Sequence, residues 1–399
     1  MVMILRALFF SGIVGSLGMF GAPVMAAQTN REGDLRAFMH GIEAVADADG
    51  GYHVFFSSSG LPPAGPDADR NWTHDVYVAS WDAAEKKISE PRVFIHNPEA
   101  QEPVSVAQTV DGNIMVSFED GWNTESDVNQ RFGIYDQNLD PVAPYPNNIA
   151  TGGHSGHVTA VGDRFVAFYS EGWVNGGGVD NLGTGNGVYA KIYDSTGNFK
   201  RLVKVAAKKR EWWPMLAGSP RRALLLWQQF VPKQTFANLK FAVLDPATGA
   251  LTKPVALRSD LQYYTYKAEY VPAVDRFLVT GTTVEGKGFA YLIDHTGQTV
   301  AALPCMPATV REAGIAVSGA MAYTPAQDGR LLHLALTPQS IGLQAVQASP
   351  LAWSYIGSLG LVRDAEHLHW VSLTRGGVEE ADFDLKAAAP PTAMDRCEK

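Results

Sequence analysis

Two matching triplets, Asp120-Gly121-Trp122 and Glu171-Gly172-Trp173, close the hydrophobic runs "VSFEDGW" and "VAFYSEGW" about fifty residues apart. An acid beside a tryptophan is sugar-binding chemistry: the ring stacks on an apolar sugar face while the carboxylate accepts hydroxyl hydrogen bonds. Other residues widen the choice. Hydrolysis of a glycosidic bond needs two carboxyl groups, for which Glu102, Asp120, Glu171 and Glu312 are the candidates. A lyase needs a base and a cation near a uronate, supplied by His154, His157, Tyr264 or Tyr266 together with Arg311. The motif "HSGH" places His154 and His157 three apart, and with His40 they offer imidazole donors to a divalent metal. Residues three apart on a strand diverge, which weakens that reading. His367 and His369 share one strand face and read as packing or surface residues.

These residues sit in a repeat. A strand-like run, an aspartate and a turn recur in "VYVASWDAAEK", "FGIYDQNLD", "VYAKIYDSTGN", "FAVLDPATGA" and "AYLIDHTGQ". The aspartates, Asp82, Asp136, Asp194, Asp245 and Asp294, lie 49 to 58 residues apart. Each is followed by small, polar or glycine residues, the chemistry of a turn in which the side chain accepts backbone amides ahead of it. A turn followed by an apolar run precedes each one, as in "DGGYHVFFSS", "DGNIMVSFED" and "GDRFVAFYSE", and two fainter copies follow, "DGRLLHLALTP" and "DAEHLHWVSLTR". Alternation and turn signals dominate, and helical periodicity is scarce. Each unit is about fifty residues and four strands.

Seven such units resemble the blades of a β-propeller, and the recurring "VYA…YD…G" turn is similar to that of secreted bacterial propellers. The WD dipeptide occurs in one copy alone, Trp81-Asp82, and no complete Asp-box occurs, so the WD40 and sialidase families are not indicated. The resemblance implies an all-β fold of seven four-stranded blades. Strand order then assigns faces: the repeated aspartates end third strands on one face, and the starts of first strands meet the ends of second strands on the other. That second face gathers His40, Glu102, His154, His157, Trp212, Trp213, Tyr264, Tyr266, Lys267, Arg311, Glu312, Trp353 and Tyr355 around the channel, flanked by Asp120, Trp122, Glu171 and Trp173. Trp122, Trp173, Trp212, Trp213, Tyr264, Tyr266, Trp353 and Tyr355 are the expected ligand-binding aromatics. The glycine-rich "WVNGGGVDNLGTGNG" rises on the same face. Residues 28–38 are expected to complete the last blade as its outer strand.

The chain of 399 residues is 46% hydrophobic and 18% charged, enough for one large β domain. Residues 1–26 read as a signal peptide: Arg6, an apolar "LFFSGIVGSLGMFG" and small residues before Gln28. The propeller then spans 27–386, and 387–399 form a tail whose Cys397 has Cys305 as its one potential partner. A formal net charge of −9 argues against nucleic acid or anionic lipid as partner, and no later stretch is apolar for long enough to span a bilayer. The leading expectation is a periplasmic or secreted propeller that binds an envelope glycan, peptide or protein at the channel mouth. A polysaccharide lyase or glycoside hydrolase at that mouth, and a metal-dependent oxidoreductase using the channel histidines, are the alternatives.

Overall fold

The computed structural model describes residues 34–65, 73–82, 85, 87–121, 128–171, 186–208 and 210–398. The first sheet runs β1 (Met39–Ala46), β2 (Tyr52–Ser58) and β3 (Asp75–Asp82), with β4 (Lys87–Ile88) and β5 (Arg92–Ile95) both against β3. The second is β6 (Ser105–Gln108), β7 (Ile114–Asp120), β8 (Asn129–Tyr135) and β9 (Pro141–Thr151). The third is β10 (Gly153–Val161), β11 (Arg164–Glu171), β12 (Gly187–Asp194) and β13 (Phe199–Ala206).

An eight-stranded sheet follows. It contains β14 (Glu211–Gly218), β15 (Ala223–Phe230), β16 (Ala237–Asp245), the short β17 (Ala250–Leu251), β18 (Val255–Val271), β19 (Arg276–Thr283), β20 (Lys287–Ile293) and β21 (Thr299–Pro307). Two four-strand runs are fused here, because β18 pairs with β16 through its first half and with β19 through its second. The last two sheets are β22 (Ala316–Ser318), β23 (Met321–Pro325), β24 (Arg330–Thr337) and β25 (Ser340–Ala348), then β26 (Ser358–Val362), β27 (His367–Thr374) and β28 (Gly377–Asp384). Ladders between sequential strands are antiparallel throughout, so the described strands make six sheets rather than seven separate ones.

Second strands such as "IMVSFED" are buried at every position, as in sheets covered on both faces. Among the described residues, the buried apolar side chains form clusters, each shared by two strand groups consecutive in sequence: Phe168 with Trp227, Leu226 with Phe277, Leu334 with Leu292. Another joins the last group to the first, Leu359 and Val371 against Met39 and Phe56. The first strands thus encircle an axis, which is the arrangement of a β-propeller.

The ring closes by that cluster and by the Gly41 amide, which donates to the Ile356 carbonyl at 2.8 Å. A Cβ at position 41 would come within 2.8 Å of Pro103 Cβ, so glycine is required where β1 approaches the second sheet. The expected outer strand from 28–38 is not formed by its described part. Leu35–Ala37 is a 3-10 helix capped by Asp34, residues 28–33 lie outside the described residues, and β28 pairs with β27 alone among the described strands. Cys305 on β21 and Cys397 form a disulfide. The tail also pairs Ala389 with Val346 of β25 and places Asp395 on Arg330 at 2.5 Å. No helix among the described residues is long and apolar enough to cross a membrane.

Candidate functional site at the channel mouth

First strands begin irregularly. The β1–β2, β10–β11, β14–β15 and β18–β19 ladders each lose register near their mouth end, at His40/Ile42, His154/His157, Trp212/Met215 and Leu261/Tyr266. At this level Gly41, Ser155, Trp213, Tyr264, Glu312 and Gly357 all have positive φ. Four of the six are not glycine, and each such residue costs about 1–3 kcal/mol unless its surroundings hold it there. Bulges of this kind re-aim side chains, and here they turn them toward the axis. Side chains from the preceding group's second strand accept the exposed amides: Glu119 Oε1 from Ser155 N–H, Gln228 Oε1 from Tyr264 N–H at 3.1 Å, Thr282 Oγ1 from Thr309 N–H at 2.9 Å.

A buried charged layer results. His40 donates from Nδ1 to Glu102 Oε2 and from Nε2 to Glu312 Oε2, both at 2.9 Å. Burial works against its charge, but the Glu312 and Glu102 carboxylates prevail and raise it to about 9. Burial also opposes ionisation of Glu312, yet Arg311 and His40 hold it well below the usual carboxylate range. At Glu119 the compensation from the Ser155 amide, His40 and Arg36 is too small. Burial pushes it up to about 8 against the Ser155 amide, so it carries a proton at neutral pH. His154 lies 3.3 Å from Glu119 Oε2, bonds Ser155 Oγ through Nδ1 at 2.5 Å and faces Trp212 with centroids 5.2 Å apart. Burial, then Arg36 and His40, push it down to about 3. His74, fully buried nearby, is lowered by burial as well.

Above this layer, Arg311 donates from Nε to Glu312 Oε1 at 2.6 Å, and its guanidinium carbon stands 4.6, 5.2 and 5.9 Å from the rings of Tyr264, Trp213 and Tyr355. Tyr355 donates to Asp34 at 3.0 Å, and Asp34 pairs with Arg36.

Of the residues expected around the channel, His40, Glu102, His154, Trp212, Trp213, Tyr264, Arg311, Glu312 and Tyr355 therefore meet in one place. Several stand otherwise. Asp120 points away, tied to Arg131 at 2.7 Å and Tyr145 at 2.6 Å within its own sheet. Its neighbour Glu119 faces the layer, because successive side chains on a strand alternate. Glu171 accepts from Tyr169 Oη at 3.4 Å. Trp212 and Trp213 are only 3% and 7% exposed; they wall the layer rather than present open stacking faces. Tyr266 is buried and gives its hydroxyl to the Trp213 carbonyl. Trp353 packs on Phe383 and Trp370 and donates to Arg330 O, inside a core cluster.

His157 and Lys267 lie deeper. With Glu43 and Glu269 they line a cavity of about 410 Å³ walled by β1, β6, β10, β14 and β18, where Lys267 meets Glu43 at 3.4 Å. His40 commits both nitrogens to carboxylates, so it and the two other histidines do not converge on a common point. Among the described residues no group of three His, Cys, Asp or Glu is arranged to hold a metal ion. Trp122, Trp173 and the glycine-rich loop lie outside the described residues. Sequence reading missed Glu119, Asp34, Arg36 and His74. The one available signal was that Asp34 and Arg36 precede His40 closely.

No protein-family model matches the sequence, and no curated protein matches it. The fold is similar to that of hydrazine synthase from Kuenenia stuttgartiensis, with TM-score 0.53 and 14% identity over 88% of this chain and 96% of that one. It is also similar to a Penicillium chrysogenum alpha-L-arabinanase complexed with arabinobiose (0.51, 10%, 88% and 94%) and to a Hadza microbial sialidase (0.52, 11%, 88% and 66%). At such identities the likeness is one of fold.

Proposed function

We propose that this protein is an exported seven-bladed propeller that cleaves a glycosidic bond at the channel mouth, with Glu119 as proton donor. One observation carries the reading: two carboxyl groups of the buried layer around His40 are driven to opposite protonation states. Glu119 keeps its proton near neutral pH while Glu312 is held ionised. Groups pushed apart in this way are the mark of an acid and its partner carboxylate in glycoside chemistry. Glu119 would protonate the leaving oxygen. Glu312, the more accessible carboxylate, would stabilise positive charge developing on the sugar ring. His40 holds Glu312 and Glu102 in place, and the strained starts of the first strands fit a pre-organised site.

Two similar folds belong, by name, to sugar-active proteins, an arabinanase and a sialidase. The binding reading drew on eight aromatics; of these Trp212, Trp213 and Tyr266 are buried, which does not favour them as stacking faces, while Trp122 and Trp173 lie outside the described residues. The core clusters between consecutive strand groups support seven blades, with the eight-stranded sheet counted as two. The Cys305–Cys397 disulfide and the apolar leader at residues 1–26 support export to an oxidising compartment.

The test is release of new reducing ends from a panel of neutral and acidic polysaccharides. Glu119→Gln is expected to lower kcat by about 10²–10⁴-fold while leaving the fold intact, and activity of the parent is expected to fall as pH rises through about 8. Thermal stabilisation by a glycan without any cleavage would return the mouth to a binding role.

A further inference from the structure

We infer that the mouth is built for an acidic sugar whose carboxylate is held by Arg311; this rests on the mouth being the glycan site proposed above. The guanidinium is fixed before any ligand arrives. Nε is taken by Glu312 at 2.6 Å, and Tyr264, Trp213 and Tyr355 pack around the group at 4.6 to 5.9 Å. The terminal nitrogens record no partner among the described residues. Arg36, Arg258 and Arg330, in contrast, each place a terminal nitrogen on an aspartate. The Arg311 side chain is 21% exposed, against 5% for His40 beneath it. Arg36 is similarly exposed, at 24%, but places its terminal nitrogen on Asp34, so Arg311 is the exposed cation of this layer that a ligand carboxylate meets.

A planar fork with two free ends matches a carboxylate in bidentate geometry. Holding the fork between rings removes most of the entropy that such a contact costs a mobile side chain. The half-buried rings of Tyr264 and Tyr355 offer apolar surface to a sugar ring beside the charge. A neutral sugar in the same place offers the terminal N–H groups hydroxyl acceptors, without the charge or the paired oxygens of a carboxylate. That loss corresponds to roughly 10- to 100-fold in affinity, so the site discriminates by charge.

The test uses polygalacturonate, alginate and hyaluronate, the carboxyl-reduced form of each, and arabinan as a neutral polymer. The intact protein is expected to prefer a carboxylated polymer over its reduced form by at least about 10-fold in kcat/KM. The preference should weaken at high salt and be lost in Arg311→Gln, mainly through KM. Equal turnover of acid and reduced polymer by the intact protein overturns the inference, whatever happens to the variant's stability. So does retention of the preference in Arg311→Gln, or the absence of a thermal shift with every acidic polymer. The two readings fail separately: cleavage of neutral and reduced polymers alone keeps the enzyme and removes the acidic substrate. Binding of an acidic oligosaccharide without cleavage, lost in Arg311→Gln, does the reverse.

Discussion

The two ends of this propeller handle carboxylates in opposite ways. On the face away from the mouth, Asp136, Asp194, Asp245 and Asp294 follow or end third strands and accept the amides of the turns they open, Asp194 from Thr196 and Asn198 at 3.2 and 2.8 Å. Burial opposes ionisation of Asp194, but the Lys200 bond and the Asn198 amide together hold it well below the ordinary range. All these acids do one job, accepting the amides of a turn. At the mouth, Glu119 and Glu312 stand in a largely buried layer, where the cations within reach decide whether burial or charge prevails. Repetition makes a turn interchangeable from unit to unit, whereas at the axis every unit contributes a different side chain, and chemistry arises from the unlikeness.

The comparison can be broken with single substitutions. His40→Ala leaves two buried carboxylates without their shared cation and should cost about 3–5 kcal/mol, read as the fall in denaturation midpoint. A loss as small as that of a surface turn would mean the layer is hydrated and its electrostatics ordinary.

A weaker effect is expected from pH. His40 and Glu119 both have raised folded-state values, about 9 and about 8. Each therefore binds more protons when folded and contributes stability at low pH that is lost as pH rises toward those values. The melting temperature of the parent should decline between about pH 7 and 9, since below that the buried neutral His154, held down to about 3, works in the opposite direction; the contribution of Glu119 alone is read between about pH 5 and 8. Glu119→Gln, which mimics the protonated acid, should become progressively more stable than the parent across that range. A constant gap between the two would argue that Glu119 is ionised. Smallest is Asp194→Ala on the opposite face, where loss of turn hydrogen bonds should cost about 1 kcal/mol and leave catalysis untouched.

Much of this organisation was written in local pattern. The Asp-turn repeat, the phase of third strands and the gathering of first-strand starts follow from short-range chemistry: a turn residue must sit where the chain reverses, and the spacing counts strands. The acid proposed as proton donor lies one position from the one the sequence singled out. In "IMVSFED" every residue is buried, so there is no alternation of polar and apolar positions from which to tell that Glu119, and not Asp120, looks into the channel. Burial of Trp212 was equally hidden, because an aromatic at a strand start reads the same whether solvent or His154 faces it.

By itself, then, the amino-acid sequence determined the repeat, the all-β character and which end of each strand lies near the axis, since these depend on interactions within a few residues or within one unit. Only the tertiary structure decided the site. His40 and Glu312 are 272 positions apart and Asp34 and Tyr355 are 321, and the protonation states depend on which charges closure of the ring brings within a few ångströms in a medium that screens them poorly.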